Sequence, residues 1–500
     1  MKIPYSHPEP AAETLPPTAR LLTLGGDFRL VLDAVSGLNL YGCGPLPDPG
    51  MLAYGSSTAS VISEAGYQCA DVLRMRLLED LKTASPPDVY RREMERIRGE
   101  LRHLCELPGT TEVIFSPSGT DSHAIAALYA GGESRPTRIV MMEANETGKG
   151  VAAALMGSGL DNRPEVMPVR VRRDDGAPRP TAGIDADVEA LASEAAVEGR
   201  RVLLILIDPS KTGLIAPSPG GVLALRHRFP DKIDVLVDAC QFRIAPPALR
   251  AYLEHGFMIA LTGSKFLTGP SFSGALLLAQ ETAQRLQARP FPALLAASAA
   301  RADWPLNWTM PKIVADTANF GLLLRWEAAL RELRTFRSLP EAMVGAFLQN
   351  FAAAIRQRLN TDPLLEALPV PQLDRRPVVE AGGWDRLQTI FPFLLYHADA
   401  GRLPLSAQET LHVYRQLAVD LKENPLFTAD ANIAALRCQI GQPVVCGERG
   451  GIRISALRLC IDARLMVKAA ADGDNGATVI AGALAVLDKT TLLIGSLSKP

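Results

Sequence analysis

Between residues 111 and 263 the chain alternates short, unbroken apolar runs with segments of helical character. The runs are TEVIFS (111–116), TRIVMME (137–143), RVLLILID (201–208), IDVLVDA (233–239) and FMIALTG (257–263). Their hydrophobicity is continuous and does not alternate with polar positions. Strands of that kind are buried on both faces, as in a parallel sheet covered by helices. Helix-like stretches such as SHAIAALYAG (122–131) and IDADVEALASEAAVEG (184–199) lie between them. Strand and helix in alternation predict an α/β fold, a mostly parallel sheet sandwiched by helices.

The flanking texture differs. Residues 1–20 are rich in Pro, Ala and Glu and read as an extended arm. Residues 41–66, dense in Gly, Pro and Ser, read as one long loop, a kind that tends to carry function or disorder. A helix is expected from about Pro87 to Leu107, where Pro108-Gly109 ends it. Beyond about Pro290, FGLLLRWEAALREL (320–333) reads as an amphipathic helix, and LQTIFPFLLY (387–396) and ALRLCI (456–461) as strands. The expected organisation is an N-terminal arm and active-site loop segment over 1–85, a large α/β domain over 86–295 and a smaller α+β domain over 296–500. There is no internal repeat.

Composition narrows the class. The 500 residues carry 52 basic and 54 acidic side chains, a formal net charge of -2, which calls for neither nucleic acid nor an anionic membrane. Seven scattered cysteines form no disulfide framework and suit a reducing compartment. The N-terminus lacks the apolar core of a signal peptide. The longest apolar runs, Val202–Ile207 and Ala477–Leu487, each end at an Asp and are too short to span a bilayer. A soluble, cytoplasmic protein is expected.

In parallel sheets, small-molecule sites lie beyond the carboxyl ends of the strands. The first strand runs into Ser118-Gly119-Thr120-Asp121 at a helix start. That is a site for phosphate on free N–H groups and a positive dipole end, or an ordinary N-cap. The second runs into Asn145-Glu146-Thr147-Gly148. The third reaches Ser210-Lys211, where Lys211 touches a phosphate or is a surface lysine. The fourth ends in Asp238-Ala239-Cys240-Gln241. A buried Asp there demands a cationic partner, either a protonated pyridine nitrogen or an arginine such as Arg243. The fifth ends in Thr262-Gly263-Ser264-Lys265, a setting in which desolvation activates a lysine amine. His123 follows the phosphate-loop candidate and lies either beside a ligand or on a helix surface. No histidine or cysteine pair has metal-ligand spacing, so no metal site is expected. Trp304, Trp308 and Trp326 read as core or interface.

Taken in order and spacing, these strand ends resemble the fold-type-I pyridoxal-5′-phosphate (PLP) enzymes, in the class-V-like branch that includes cysteine desulfurases. The resemblance covers roughly 85–290 well and the C-terminal part loosely. It implies that Lys265 carries the cofactor and later shuttles the proton at Cα, and that Asp238 pairs the pyridine nitrogen. Gln241, with Ser210 in a place often held by Asn, would meet the phenolic oxygen. Ser118, Gly119, Thr120 and Thr262 would form the phosphate cup with Ser264 beside it. Thr147 falls where the family stacks a ring, a departure, because Thr cannot stack. Arg458, or Arg453 nearby, would bind the substrate carboxylate through its planar fork. The implied activity is aminotransferase or lyase chemistry on an amino acid or amine, through an external aldimine and a Cα carbanion, in a homodimer. One alternative is a cysteine desulfurase using Cys446, which otherwise reads as a small packed residue; another is a non-catalytic regulatory or binding protein on this fold. Cys240 reads as packed.

Overall fold

In the computed structural model, residues 15–55, 59–131, 135–148, 150–157, 163–296, 299–380, 382–398 and 401–497 are described. Among the described residues, twelve strands form two sheets. In chain order they are β1 (Met51–Tyr54), β2 (Glu112–Ser116), β3 (Arg138–Met142), β4 (Glu165–Val169), β5 (Val202–Ile207), β6 (Ile233–Asp238), β7 (Met258–Thr262), β8 (Gly274–Leu278), β9 (Leu365–Ala367), β10 (Ile390–Leu395), β11 (Arg437–Arg449) and β12 (Ile452–Cys460). The five expected strands of the large sheet are β2, β3, β5, β6 and β7. Every residue of β3, β5, β6 and β7 is buried, as continuous apolar runs require.

The large sheet has the order β2-β8-β7-β6-β5-β3-β4. Only β8 runs against the others, pairing antiparallel with both β2 and β7. Parallel strands put their carboxyl ends on one edge, so Ser116, Ile207, Asp238 and Thr262 all finish there. The expected mostly parallel sheet is what forms. β4 and β8 were not legible: EVMPV is only half-buried at an edge, and GALLL follows a loop with no helical crossover before it.

The second sheet has the order β1-β11-β12-β10-β9. The segment read as one loop over 41–66 contains β1, which pairs in parallel with β11. A helix starts at Glu64, capped by Ser63, and continues to Asp80. A four-residue strand with no alternation has too little periodicity to be seen; its partner lies almost 390 residues later. Ser56, Ser57 and Thr58 lie outside the described residues.

Helix Phe320–Arg337 is almost entirely buried and packs on helices Glu64–Asp80 and Pro86–Leu104. Its Arg325, fully buried, donates to the carbonyls of Phe272, Leu22, Leu24 and Gly25 at 2.5–3.2 Å. This clamps the N-terminal segment to the large sheet. Trp304, Trp308 and Trp326 are buried in the core. The C-terminal apolar run is longer than expected. Helix Ala477–Leu497 continues through Asp488-Lys489, and its 21 residues are long and apolar enough to cross a membrane by length and composition. Here it packs on helices Glu341–Thr361 and Ala407–Leu417. Lys489, fully buried, donates to the carbonyls of Leu417, Val419 and Leu436 and closes the end of Ala407–Leu417.

Candidate active site

The carboxyl edge of the large sheet faces the β11–β12 hairpin across a cleft of about 1330 Å³. Of the residues singled out by sequence, Ser118, Gly119, Thr120, His123, Lys211, Asp238, Cys240, Thr262, Ser264, Lys265, Arg453 and Arg458 line it. Residues separated by up to 340 positions are brought together because the large-sheet residues follow strands that end on the same side and β12 carries Arg453 and Arg458 to face them.

Helix Gly119–Ala130 opens into the cleft at its N-terminus. Ser118 is its N-cap: the hydroxyl accepts from the Asp121 amide at 3.3 Å and donates to the Asp121 carboxylate at 2.6 Å. Gly119 is required by packing, since a Cβ there would lie 2.7 Å from Cys240 Sγ and 2.9 Å from Thr262 Cγ2. Backbone N–H groups and the helix dipole turn a positive field from this end toward the cleft. Thr262 Oγ1 donates to the Cys240 carbonyl at 2.6 Å, tying the end of β7 to the turn after β6. Lys265 follows, half-buried and facing the cleft. Ser60 holds its loop, donating to the carbonyls of Ser264 and Gly269 at 2.8 and 2.7 Å.

Asp238 is buried at the end of β6. Its partner is neither Arg243 nor another arginine. His123 Nε2 lies 3.3 Å from Asp238 Oδ2, and the Cys240 amide donates to Oδ1 at 3.1 Å. Arg243 instead donates to the carbonyls of Ile461 and Thr389. Burial works to raise the Asp238 pKa. The charge of His123, the charge of Lys265 and the Cys240 amide outweigh it and hold the carboxyl well below the usual range. Burial likewise works to lower the pKa of His123, and Asp238 overrides it, so the imidazole is held above its ordinary value. His123 Nδ1 meets the Gly119 carbonyl at 2.7 Å. His123 is therefore a buried site residue and not a surface one. Its place four residues after Gly119, in the helix that opens into the cleft, was the available signal.

Gln241 and Thr147 are buried beside this edge without lining the cleft. Among the described residues, Gln241 Oε1 and Thr147 Oγ1 have no hydrogen-bond partner. Ser210 is placed differently. Its hydroxyl donates to Glu146 at 2.7 Å and accepts from the amides of Thr212 and Leu214, so it belongs to a buried network and not to the cleft. That network centres on Glu146, paired with Arg172 at 2.8 Å and bonded to the Thr212 hydroxyl and amide. Neither Glu146 nor Arg172 carried a sequence signal.

Arg458 is buried on β12. It donates to the carbonyls of Gln442 (2.8 and 3.1 Å) and Lys211 (3.2 Å), and its guanidinium has no carboxylate partner among the described residues. Burial lowers its pKa. Gly441 gives it room, because a Cβ there would lie 2.9 Å from Arg458 Nε. Arg453 is exposed at the other end of β12, opposite Glu448. Cys446 does not line the cleft. It is buried with Ile454 on the far face of β11, 3.8 Å from the Ile454 carbonyl, and burial pushes its thiol up to about 11. His123, Asp238 and Cys240 put potential ligand atoms within 4.8 Å of one another, a grouping the spacing did not reveal. Burial pushes the Cys240 thiol well up, so it is a poor thiolate donor for a metal. The N-terminal segment adds Arg29, held by Asp27 and stacked 4.6 Å over Phe272, and Tyr41. Arg29 lies in a stretch with no local motif.

No protein-family model and no curated protein matches the chain. Solved structures do. An alanine–glyoxylate aminotransferase from Nostoc sp. is 14% identical, covering 94% of this chain and all of its own length, with a TM-score of 0.52. The ureidoglycine–glyoxylate aminotransferase of Bacillus subtilis is 11% identical, covering 89% of this chain and 95% of its own, with a TM-score of 0.52. A cystine C–S lyase, solved with its product cysteine persulfide, is 14% identical over 86% of this chain and 98% of its own, with a TM-score of 0.53. The chain has the fold these enzymes share.

Proposed function

We propose that this chain, with the fold of aminotransferases and C–S lyases, is a PLP-dependent enzyme of aminotransferase or lyase type acting on an amino acid or amine. The observation that carries the reading is one cleft holding an ionised, buried Asp238, a half-buried Lys265 and an open helix N-terminus at Gly119. A carboxylate kept charged in a buried place suits a cationic ring nitrogen. Beside the cleft, Gln241 Oε1 is a buried acceptor with no hydrogen-bond partner among the described residues. The residues present fit the cofactor.

When bound, PLP supplies an electrophilic carbon for an amine and a ring that draws electrons from the substrate Cα. The chain's own residues do the rest. Gly119 and Thr120 bind the phosphate with backbone N–H groups and the helix dipole. Asp238 holds a proton on the ring nitrogen, and His123 keeps that carboxylate ionised and oriented. Gln241, buried beside the cleft, would turn its side-chain N–H to the phenolic oxygen. Lys265 Nζ carries the cofactor and then moves the proton at Cα. Arg458, aimed by the Gln442 and Lys211 carbonyls, receives the substrate carboxylate through its fork. In this reading the cofactor belongs to residues 86–295, with 1–85 over the site and 296–500 supplying Arg458. A cytoplasmic homodimer without membrane or nucleic-acid partner is the matching setting, supported by seven free thiols and a net charge near zero. The desulfurase variant of this chemistry is disfavoured by Cys446, which faces away from the cleft. A non-catalytic scaffold would need neither Lys265 nor an ionised Asp238.

The test is the absorbance spectrum of the purified protein with PLP, before and after borohydride, beside Lys265→Ala. A visible band removed by borohydride and missing in Lys265→Ala is expected. A wild type that remains colourless with added PLP overturns the proposal.

A further inference from the structure

The charges around the cleft are unequal. Six cationic side chains line it: Arg29, Lys211, Lys265, Arg415, Arg453 and Arg458. Asp238 is the sole carboxylate among the lining residues described. Asp27 neutralises Arg29 through a bidentate pair. Under the function proposed above, Lys265 and Arg458 are occupied by the cofactor and one substrate carboxylate, and Asp238 by the ring nitrogen. A cationic surplus remains in Arg415 and Arg453, and Arg415 is the one carried on a helix. Helix Ala407–Leu417 packs on both β11 and β12. Tyr414, the residue before Arg415, is near enough to Arg458 to feel its charge. Among the described residues Arg415 has no ion pair. Arg453 lies five residues along β12 from Arg458, roughly 17 Å at strand rise, and adds to the field at the outer end. Cationic walls of low polarity focus anions into a cleft.

We infer that the substrate carries a second anionic group, a carboxylate or a phosphate, and that Arg415 receives it. A second guanidinium lining the same cleft as the carboxylate-binding Arg458 selects an amino acid that is anionic at both ends. The inference rests on the proposed function for the word substrate, but the anion site itself stands on Arg415 and the charge of the cleft.

The experiment measures calorimetric binding of unreactive probes to the protein loaded with PLP, so that the phosphate cup is filled. Succinate and 3-phosphonopropionate are compared with butyrate, a monoanion of the same carbon count as succinate. Wild type should bind at least one dianion about tenfold or more tightly than butyrate, as a charge-assisted pair implies. The tighter dianion tells carboxylate from phosphate. Arg415→Gln should erase the preference and leave butyrate unchanged, and Arg415→Glu should abolish dianion binding. Melting temperatures of both variants should stay at the wild-type value, because Arg415 is exposed. No dianion preference in wild type, or a preference that survives Arg415→Gln, overturns the inference. If the protein shows no borohydride-reducible band, the cofactor reading fails separately. The same comparison on the unloaded protein, with Arg415→Gln as the control, then still decides the anion site.

Discussion

Glu146 and Arg172 form an ion pair whose two members are 2% and 3% exposed, wrapped by the loop after β5. Glu146→Gln removes the charge and keeps the shape. Arg172 is then a buried cation without a counter-ion, a loss of about 3–5 kcal/mol by the behaviour of broken buried pairs. The side-chain amide also turns a donor toward groups that donate to Glu146, namely the Ser210 hydroxyl, the Thr212 hydroxyl and the Thr212 amide. Arg172→Met, which strands the carboxylate, should cost about the same. The double variant has no lone charge and should recover at least about 2 kcal/mol relative to the sum of the singles. A 500-residue chain need not unfold in one step. The assay is therefore urea denaturation paired with amide hydrogen exchange in 208–214, where local opening reports the loss. The same loop presents the Lys211 carbonyl to Arg458. Substrate KM should thus rise more than kcat falls. Acid adds a second signature. Burial works to raise the Glu146 pKa, and Arg172, Thr212 and Ser210 override it, so the folded value is depressed. Its contribution is present above the ordinary carboxyl range and is lost as pH falls through the folded value, and Glu146→Gln should lack that acid limb. Additivity of the two single variants within about 0.5 kcal/mol, or a loss below about 1 kcal/mol for Glu146→Gln, refutes the reasoning.

Three further outcomes follow from the geometry. Gly119→Ala forces a Cβ against Cys240 and Thr262, so PLP affinity, read by spectral titration, should fall about tenfold or more while the melting temperature drops. Burial raises the Asp303 carboxyl from 3.8 to about 6 despite the Tyr90 hydroxyl and the Ala300 amide. The folded state then holds an extra proton between those values, and this group's stability contribution falls as pH rises through that window. Asp303→Asn should remove up to about 1.4 kcal/mol per pH unit of that slope in denaturation experiments. Cys446→Ala should leave turnover and any sulfide release unchanged within about twofold, because the thiol faces away from the cleft and burial holds it protonated; loss of activity would restore the desulfurase reading.

Much of the site was legible in the sequence because a parallel sheet makes it so. Each strand is a continuous apolar run, and the residues after it are local in sequence, so Gly119, Asp238 and Lys265 were readable as strand-end chemistry before any contact was known. What each of them touches is long-range. The partner of Asp238 is His123, 115 residues earlier, and a local reading offered Arg243. Ser210 looked available until the fold brought Glu146 to it. β1 was hidden in a loop because its partner lies in the second sheet. Arg29 reaches the cleft from an irregular segment held by Arg325, and Arg415 from a surface helix. Local pattern determines which segments become strands and helices, since burial on one or both faces dictates their periodicity. Only the tertiary structure decides which charges are paired and which remain for a ligand, because that depends on the few ångströms between side chains hundreds of residues apart.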